Sequence, residues 1–354
     1  MSGDVSELEA QIAAEPADPA RYAVLGDALV HAGDPRGELI ALQLAAQAQP
    51  AGRAADKLRA VAEAHFAAHA KAFLGPLAPH AARLTWRSGF IRRMELAASA
   101  RVDVAALLTQ ALAHPSARFV VELALQVDGA AEGTRLLTAL AAAAPRSLRD
   151  LALIARGERE TDLGPILPHL PWLERLDVTA QRIEIGAPAL PALRRLRLAA
   201  LTLTSTCVQA LADAAWPALE RLELRFGTRD DPPATFADVR PLLLHTALPR
   251  LTHLRLRNAP FAGGVLREML AAPLATQLAV LDLSHGSMSP ADAAALVTTP
   301  TRLAHLRELW LPMRLLRGVD KARLAGLGRW VIDDVRAARD ELEAVLMTSG
   351  YSGL

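Results

Sequence analysis

A six-residue phrase with leucine or a substitute at its first, fourth and sixth positions recurs nine times, and it limits what this chain can become. The copies are Ile91–Leu96, Val120–Leu125, Leu148–Leu153, Leu173–Val178, Leu193–Leu198, Leu219–Leu224, Leu251–Leu256, Leu278–Leu283 and Leu306–Leu311. Their starts lie 20 to 32 residues apart, too far for a meander of hairpins and suited to a repeat that contributes one strand per unit.

Positions four and six alternate with polar third and fifth positions, so a short strand turns its leucines to one side and its charges to the other. One strand cannot bury that side alone. Parallel neighbours can, provided a crossover, usually helical, returns the chain each time. The intervening segments supply such material: Val102 to Ala113, Thr134 to Ala144 and Cys207 to Ala215 carry aliphatic residues at helical spacing. Ser289, Pro290 and Asp292 offer a capping hydroxyl, a proline at the first helical position and an acid at the third. The expected fold class is α/β, a solenoid.

From about Ile91 to Leu311 these phrases resemble the leucine-rich-repeat family. The resemblance implies a parallel sheet on a concave face and helices on a convex face, over residues 83–316. Many members place Asn or Cys three residues after the sixth position; here Gln181, Leu201, Gly227, Ala259 and Gly286 stand there, so a regular asparagine ladder is missing.

Upstream, Val5 to Ala14, Pro19 to Ala32, Arg36 to Gln47 and Asp56 to Phe73 read as four helices, with Asp34 and Pro35 capping and starting the third. The segments Glu15 to Arg21, Leu25-Gly26-Asp27-Ala28-Leu29 and Gly33 to Ile40, followed by Leu74-Gly75-Pro76-Leu77 and Trp86-Arg87-Ser88-Gly89-Phe90, resemble the repeat-companion domain of bacterial leucine-rich-repeat proteins. Ala28 stands where that family usually carries tryptophan. The resemblance implies an N-terminal all-α domain, residues 1–82, without catalytic activity, and its physical task is to cover the open end of the solenoid. Residues 317–354 read as a second cap, with an amphipathic helix from Val331 to Met347. Beyond it the small, polar tail Thr348 to Leu354 offers Tyr351 as a handle for a modifying enzyme.

Strands stacked about 4.8 Å apart turn each outward position into a column of neighbours. The fifth position reads Asp177, Arg197, Glu223, Arg255, Asp282 and Trp310 through the later repeats, and its alternating signs predict a structural ladder of ion pairs. The third position instead reads Arg175, Arg195, Arg221 and His253. Arg225 and Arg257 join at the seventh. These six, with Trp310 as an aromatic anchor or a residue covered by the C-terminal helix, form the candidate binding face. Guanidinium forks suit carboxylates and phosphates. The bland reading is a solvated charged face in a chain with 36 Arg and only Lys57, Lys71 and Lys321. The long spacing after Leu224 holds the acid- and proline-rich loop Gly227 to Thr235, read as a tolerated insertion beside the patch.

Composition narrows the function classes. With 39 basic and 38 acidic residues the net charge is +1, which argues against coating of nucleic acid or anionic membrane, as do Glu122, Asp150 and Asp177 along the face. No apolar run reaches the length of a spanning helix. The acidic start and the single Cys207 point to a reducing cytoplasm. His65 and His69 share a helix face without the glutamate of a zinc hydrolase, Asp230 and Asp231 lack a third ligand at calcium-loop spacing, and Gly33 and Gly37 precede no Lys-Ser/Thr. Cys207 has no local base and is expected to be buried. No metal, cofactor or enzymatic activity is expected. The expected function is a protein- or peptide-binding scaffold whose sheet face docks an acidic partner. The alternatives are a carrier whose tail is modified by a partner enzyme, and a regulator that offers Arg229 to a nucleotide-hydrolysing partner.

Overall fold

A computed structural model describes residues 2–98, 102–157, 160–227, 234–244, 248–298, 302–312 and 329–333. They form an α/β fold with one open, mostly parallel sheet. The chain divides into two compact units, Met1–Leu125 with Thr138–Leu151, and Gln126–Leu137 with Ala152–Leu354.

The first unit begins with helices α1 (Ser2–Ala14), α2 (Pro19–His31), α3 (Arg36–Ala48), α4 (Arg53–Ala68) and α5 (Ala70–Leu74). Asp18 accepts a 2.9 Å bond from the Ala20 N–H, which starts α2 beside Pro19. Helices α2 and α3 cross at two glycines. A Cβ on Gly37 would sit 2.5 Å from the Gly26 carbonyl and 2.6 Å from the Val30 nitrogen, so only glycine allows that approach. The single helix expected from Asp56 to Phe73 is broken at His69, and the break seats Phe73 against Phe66 and Trp86. The unit extends past residue 82 and takes in an antiparallel hairpin, β1 (Leu84–Arg87) and β2 (Phe90–Ala97). Phe90 packs with Tyr22 and Phe119, which ties the hairpin to the helices. Then follow α6 (Val104–Ala113), β3 (Glu122–Asp128), α7 (Ala130–Ala143) and β4 (Asp150–Arg156), the last three shared in sequence with the second unit.

The second unit continues with β5 (Thr161–Asp162), β6 (Arg175–Glu184), β7 (Arg195–Leu203), α8 (Ser205–Asp213), β8 (Arg221–Arg225), α9 (Phe236–Leu244), β9 (His253–Arg257), α10 (Ala262–Met269), β10 (Val280–Asp282), α11 (Pro290–Thr298), β11 (Glu308–Pro312) and β12 (Arg329–Asp333). The capping signal at Ser289 acts as read: it donates from its N–H and hydroxyl to Asp292 at 2.7 and 2.8 Å, and the Asp292 N–H returns a 3.3 Å bond. Thr204 likewise caps α8 by accepting from the Cys207 N–H at 3.0 Å. At α3 the reading is corrected: the helix starts at Arg36 with Pro35 at the cap position, and the Asp34 carboxylate accepts from the Arg36 N–H at 2.9 Å.

The nine phrases are strand segments, and from β6 to β11 they pair in parallel without slippage. Leu176, Leu196, Leu222, Leu254, Leu281 and Leu309 form one buried row, which consumes the apolar side of every strand. A recurring bond fixes this register: the carbonyl of each phrase's second residue accepts from two successive N–H groups of the next phrase. Glu174 accepts from Arg194 and Arg195 at 2.8 and 3.0 Å, Arg194 from Glu220 and Arg221 at 2.9 and 3.0 Å, and Glu220 from Thr252 and His253 at 2.9 and 3.1 Å.

Two further expectations are corrected. The 20-residue spacing between the phrases of β6 and β7 leaves no room for a helix, and no helix forms between them; the strands lengthen instead and share eight register pairs. At the other end, Arg329–Asp333 is extended and pairs in parallel with β11, so the region read as helical from Val331 begins as a strand. Its edge-strand hydrogen bonds outweigh its helical pattern there. Residues 334–354, including Tyr351, lie outside the described residues.

Candidate interaction face of the sheet

The outward side of the second unit's sheet carries two columns with different chemistry. In the fifth-position column, Asp177, Arg197, Glu223, Arg255, Asp282 and Trp310 are successive register partners. Arg197 reaches Asp177 at 2.7 Å and Glu223 at 3.4 Å, and Glu223 also meets Arg255 at 4.0 Å and Arg257 at 3.8 Å. Burial alone would lower the Arg197 pKa, but Asp177 and Glu223 more than offset it and hold the guanidinium above its ordinary range. This is the predicted ladder.

The third-position column pairs Arg175 with Arg195, Arg195 with Arg221, and Arg221 with His253. The three arginine residues are exposed and His253 is half-buried. Among the described residues Asp177, Glu223 and Asp282 lie against Arg197, Arg255 and Arg257, and no acid forms an ion pair with Arg195 or Arg221. His253 contacts the Thr252 hydroxyl through Nδ1 at 2.8 Å. Burial first, then the charges of Arg221, Arg307 and Arg255, lower its pKa, against a smaller opposing pull from Glu308. Arg307 was not legible as a contributor, because it stands at the second position of its phrase, outside the column read from the sequence.

Arg225 and Arg257 share a register position, yet the structure withdraws them from the solvent patch. Arg225 is only 7% exposed. Arg257 is half-buried and faces Glu223 and, at 3.6 Å, Asp282. Gly227, two residues beyond the end of β8, passes so close to the Leu201 carbonyl that a Cβ there would overlap it. Trp310 sits at the fifth position, half-buried, and donates from Nε1 to Glu308 at 3.1 Å. Between the arginine row and Glu308 stands Val280, 2% exposed. Residues 228–233, with Arg229, Asp230 and Asp231, lie outside the described residues.

The other candidate chemistry is engaged in packing. Cys207 is fully buried, and burial with the nearby Glu184 charge pushes its thiol far from the reactive thiolate. His65 contacts the Pro35 carbonyl at 2.9 Å and Glu38 at 3.5 Å, its ring 4.6 Å from that of His69. Asp238 at the start of α9 was not singled out from sequence; it accepts from the Thr235 N–H and hydroxyl, Ser205 and Gln209, which overcome the opposing effect of burial and hold its carboxyl at about 2. It pins α8 to α9. In the first unit a cavity of about 400 Å³ is lined by Phe66, Trp86, Arg59 and Glu63 among others. Arg59 is already paired with Asp56.

No protein-family model and no curated protein matches the sequence. Among solved structures, a protein from Bacteroides fragilis, a structural-genomics target, is similar in fold, with a TM-score of 0.53 and 18% identity over 80% of this chain and 84% of that one. At that identity the likeness concerns the fold alone. Among the described residues no helix is long and apolar enough to cross a membrane.

Proposed function

We propose that the chain is a leucine-rich-repeat solenoid, with a repeat-companion helical domain at its N-terminal end, that works as a non-enzymatic scaffold in the cytoplasm. Its exposed arginine row docks an acidic segment of another protein. The observation that carries this reading is the pair Arg195 and Arg221, exposed register neighbours of like charge that form no ion pair with an acid among the described residues, on a face where the adjacent column is internally neutralised. Like charges held side by side oppose folding unless solvent or a ligand screens them. A row kept in that state is what an anionic partner would use, and guanidinium groups suit carboxylates.

The test is quantitative affinity capture from the native cell with wild-type protein and the Arg195→Glu/Arg221→Glu variant, followed by binding of the purified candidates. Proteins lost with the double variant, carrying acidic segments and binding the wild type when purified, are the expected outcome. A set of partners unchanged by the charge reversal would overturn the reading.

A further inference from the structure

The spacing of the arginine row selects the shape of what it binds, and this inference rests on the row being an interaction face. Parallel strands stand about 4.8 Å apart, so Arg175 to Arg221 covers two intervals, about 9.6 Å, and His253 extends the row to about 14 Å. An α-helix laid across the strands presents residues i, i+4 and i+7 on one face within about 10.5 Å. An extended chain in the same direction presents same-side residues i, i+2 and i+4 over about 13 Å, which drifts out of step by the third arginine. A chain running along the strands instead meets one arginine of the row and then the fifth-position column, where Arg197 is already held by Asp177 and Glu223.

The row also has a defined end. Beyond His253 the next register partner is the buried, apolar Val280, and beyond it stands Glu308, which repels a further carboxylate. We propose that the site formed by Arg175, Arg195, Arg221 and His253 receives an acidic α-helix of a partner protein, crossing the strands, with Asp or Glu at i, i+4 and i+7. About two turns of helix face the arginine residues. A third turn reaches His253, and the charged part of the row ends there because Val280 is buried.

Two fluorescein-labelled peptides of equal net charge test this at low ionic strength. One is alanine-based and helical with glutamates at i, i+4 and i+7; the other alternates glutamate and threonine to favour an extended chain. A single-stranded oligonucleotide serves as the third probe. The helical peptide is expected to bind at least ten-fold more tightly than the alternating one, and the difference to vanish in Arg195→Glu/Arg221→Glu, whose folding is checked by circular dichroism. Equal, arginine-dependent binding of both peptides would overturn the helix while leaving the acidic-partner reading intact. Sub-millimolar binding of neither peptide would overturn both. Tighter binding of the oligonucleotide would overturn both in favour of a nucleic acid.

Discussion

Arg195 and Arg221 are direct register partners on adjacent parallel strands, both exposed, while Arg197 and Glu223, two residues further along the same strands, are register partners joined by an ion pair at 3.4 Å. The same backbone geometry thus holds a repulsive pair and an attractive pair side by side.

That contrast predicts the effect of charge reversal on stability. Arg221→Glu places a carboxylate between Arg195 and His253, and cross-strand opposite charges contribute roughly 0.2–1 kcal/mol relative to a neutral pair. The variant is expected to unfold at an equal or slightly higher urea concentration than the wild type. A clear fall in the midpoint would mean that Arg221 supports the fold.

Glu223 behaves in the opposite way. It is 18% exposed in its side chain and faces Arg197, Arg255 and Arg257 together. Glu223→Gln keeps the shape and removes the charge, leaving three guanidinium groups with fewer acids between them. A loss of about 1–3 kcal/mol is expected, the range for a partly buried charged hydrogen-bonding group. Denaturant unfolding measures it, and an unchanged midpoint would show the ladder to be energetically idle.

His253 should report the field of the row. Burial, then Arg221, Arg307 and Arg255, lower its pKa from the ordinary 6.5, with Glu308 opposing. In the unfolded chain the imidazole takes up its proton near the ordinary value, so the folded state is favoured above that pH. His253 therefore draws stability down as pH falls through the unfolded pKa toward the folded one. In an imidazole NMR titration His253 should protonate below 6.5, and Arg221→Glu should move the midpoint upward. A midpoint unmoved by that substitution would remove Arg221 from its surroundings.

The crossing of α2 and α3 yields a test of the helical unit. Gly37→Ala puts a methyl group against the Gly26 carbonyl and the Val30 nitrogen, both backbone atoms that cannot turn aside. Overpacking of this kind costs typically 1–3 kcal/mol. Gly52→Ala, where nothing lies within 4 Å, is the companion: it meets only the strain of a φ of 153°. A drop in melting temperature for Gly37→Ala no larger than for Gly52→Ala would contradict the close approach.

Much of the molecule was legible from spacing alone. The period of the Leu-patterned phrases located the strands, and the alternation within each phrase identified its buried side, since a pleated strand leaves no freedom in which face a residue takes. The capping residue Ser289, read from sequence, acts through bonds only a few residues long, and Asp18 and Thr204, which were not singled out, act in the same local way. What spacing did not carry was competition between elements. The lengthened strands β6 and β7 replaced a helix because the intervening chain was short, and Arg329–Asp333 extended because a strand edge was waiting beside it.

For the candidate face, sequence determined which residues would occupy one column, because a one-to-one register turns a position in the phrase into a position on the sheet. Whether a charged member of that column meets water was decided only in three dimensions. Arg195 stayed exposed while Arg225, no less charged, sank to 7% exposure, and Glu223 became the meeting point of three guanidinium groups. Burial and ion pairing depend on what neighbouring strands and turns bring within a few ångströms, and residues twenty to thirty positions apart in the chain carry no local sign of that meeting.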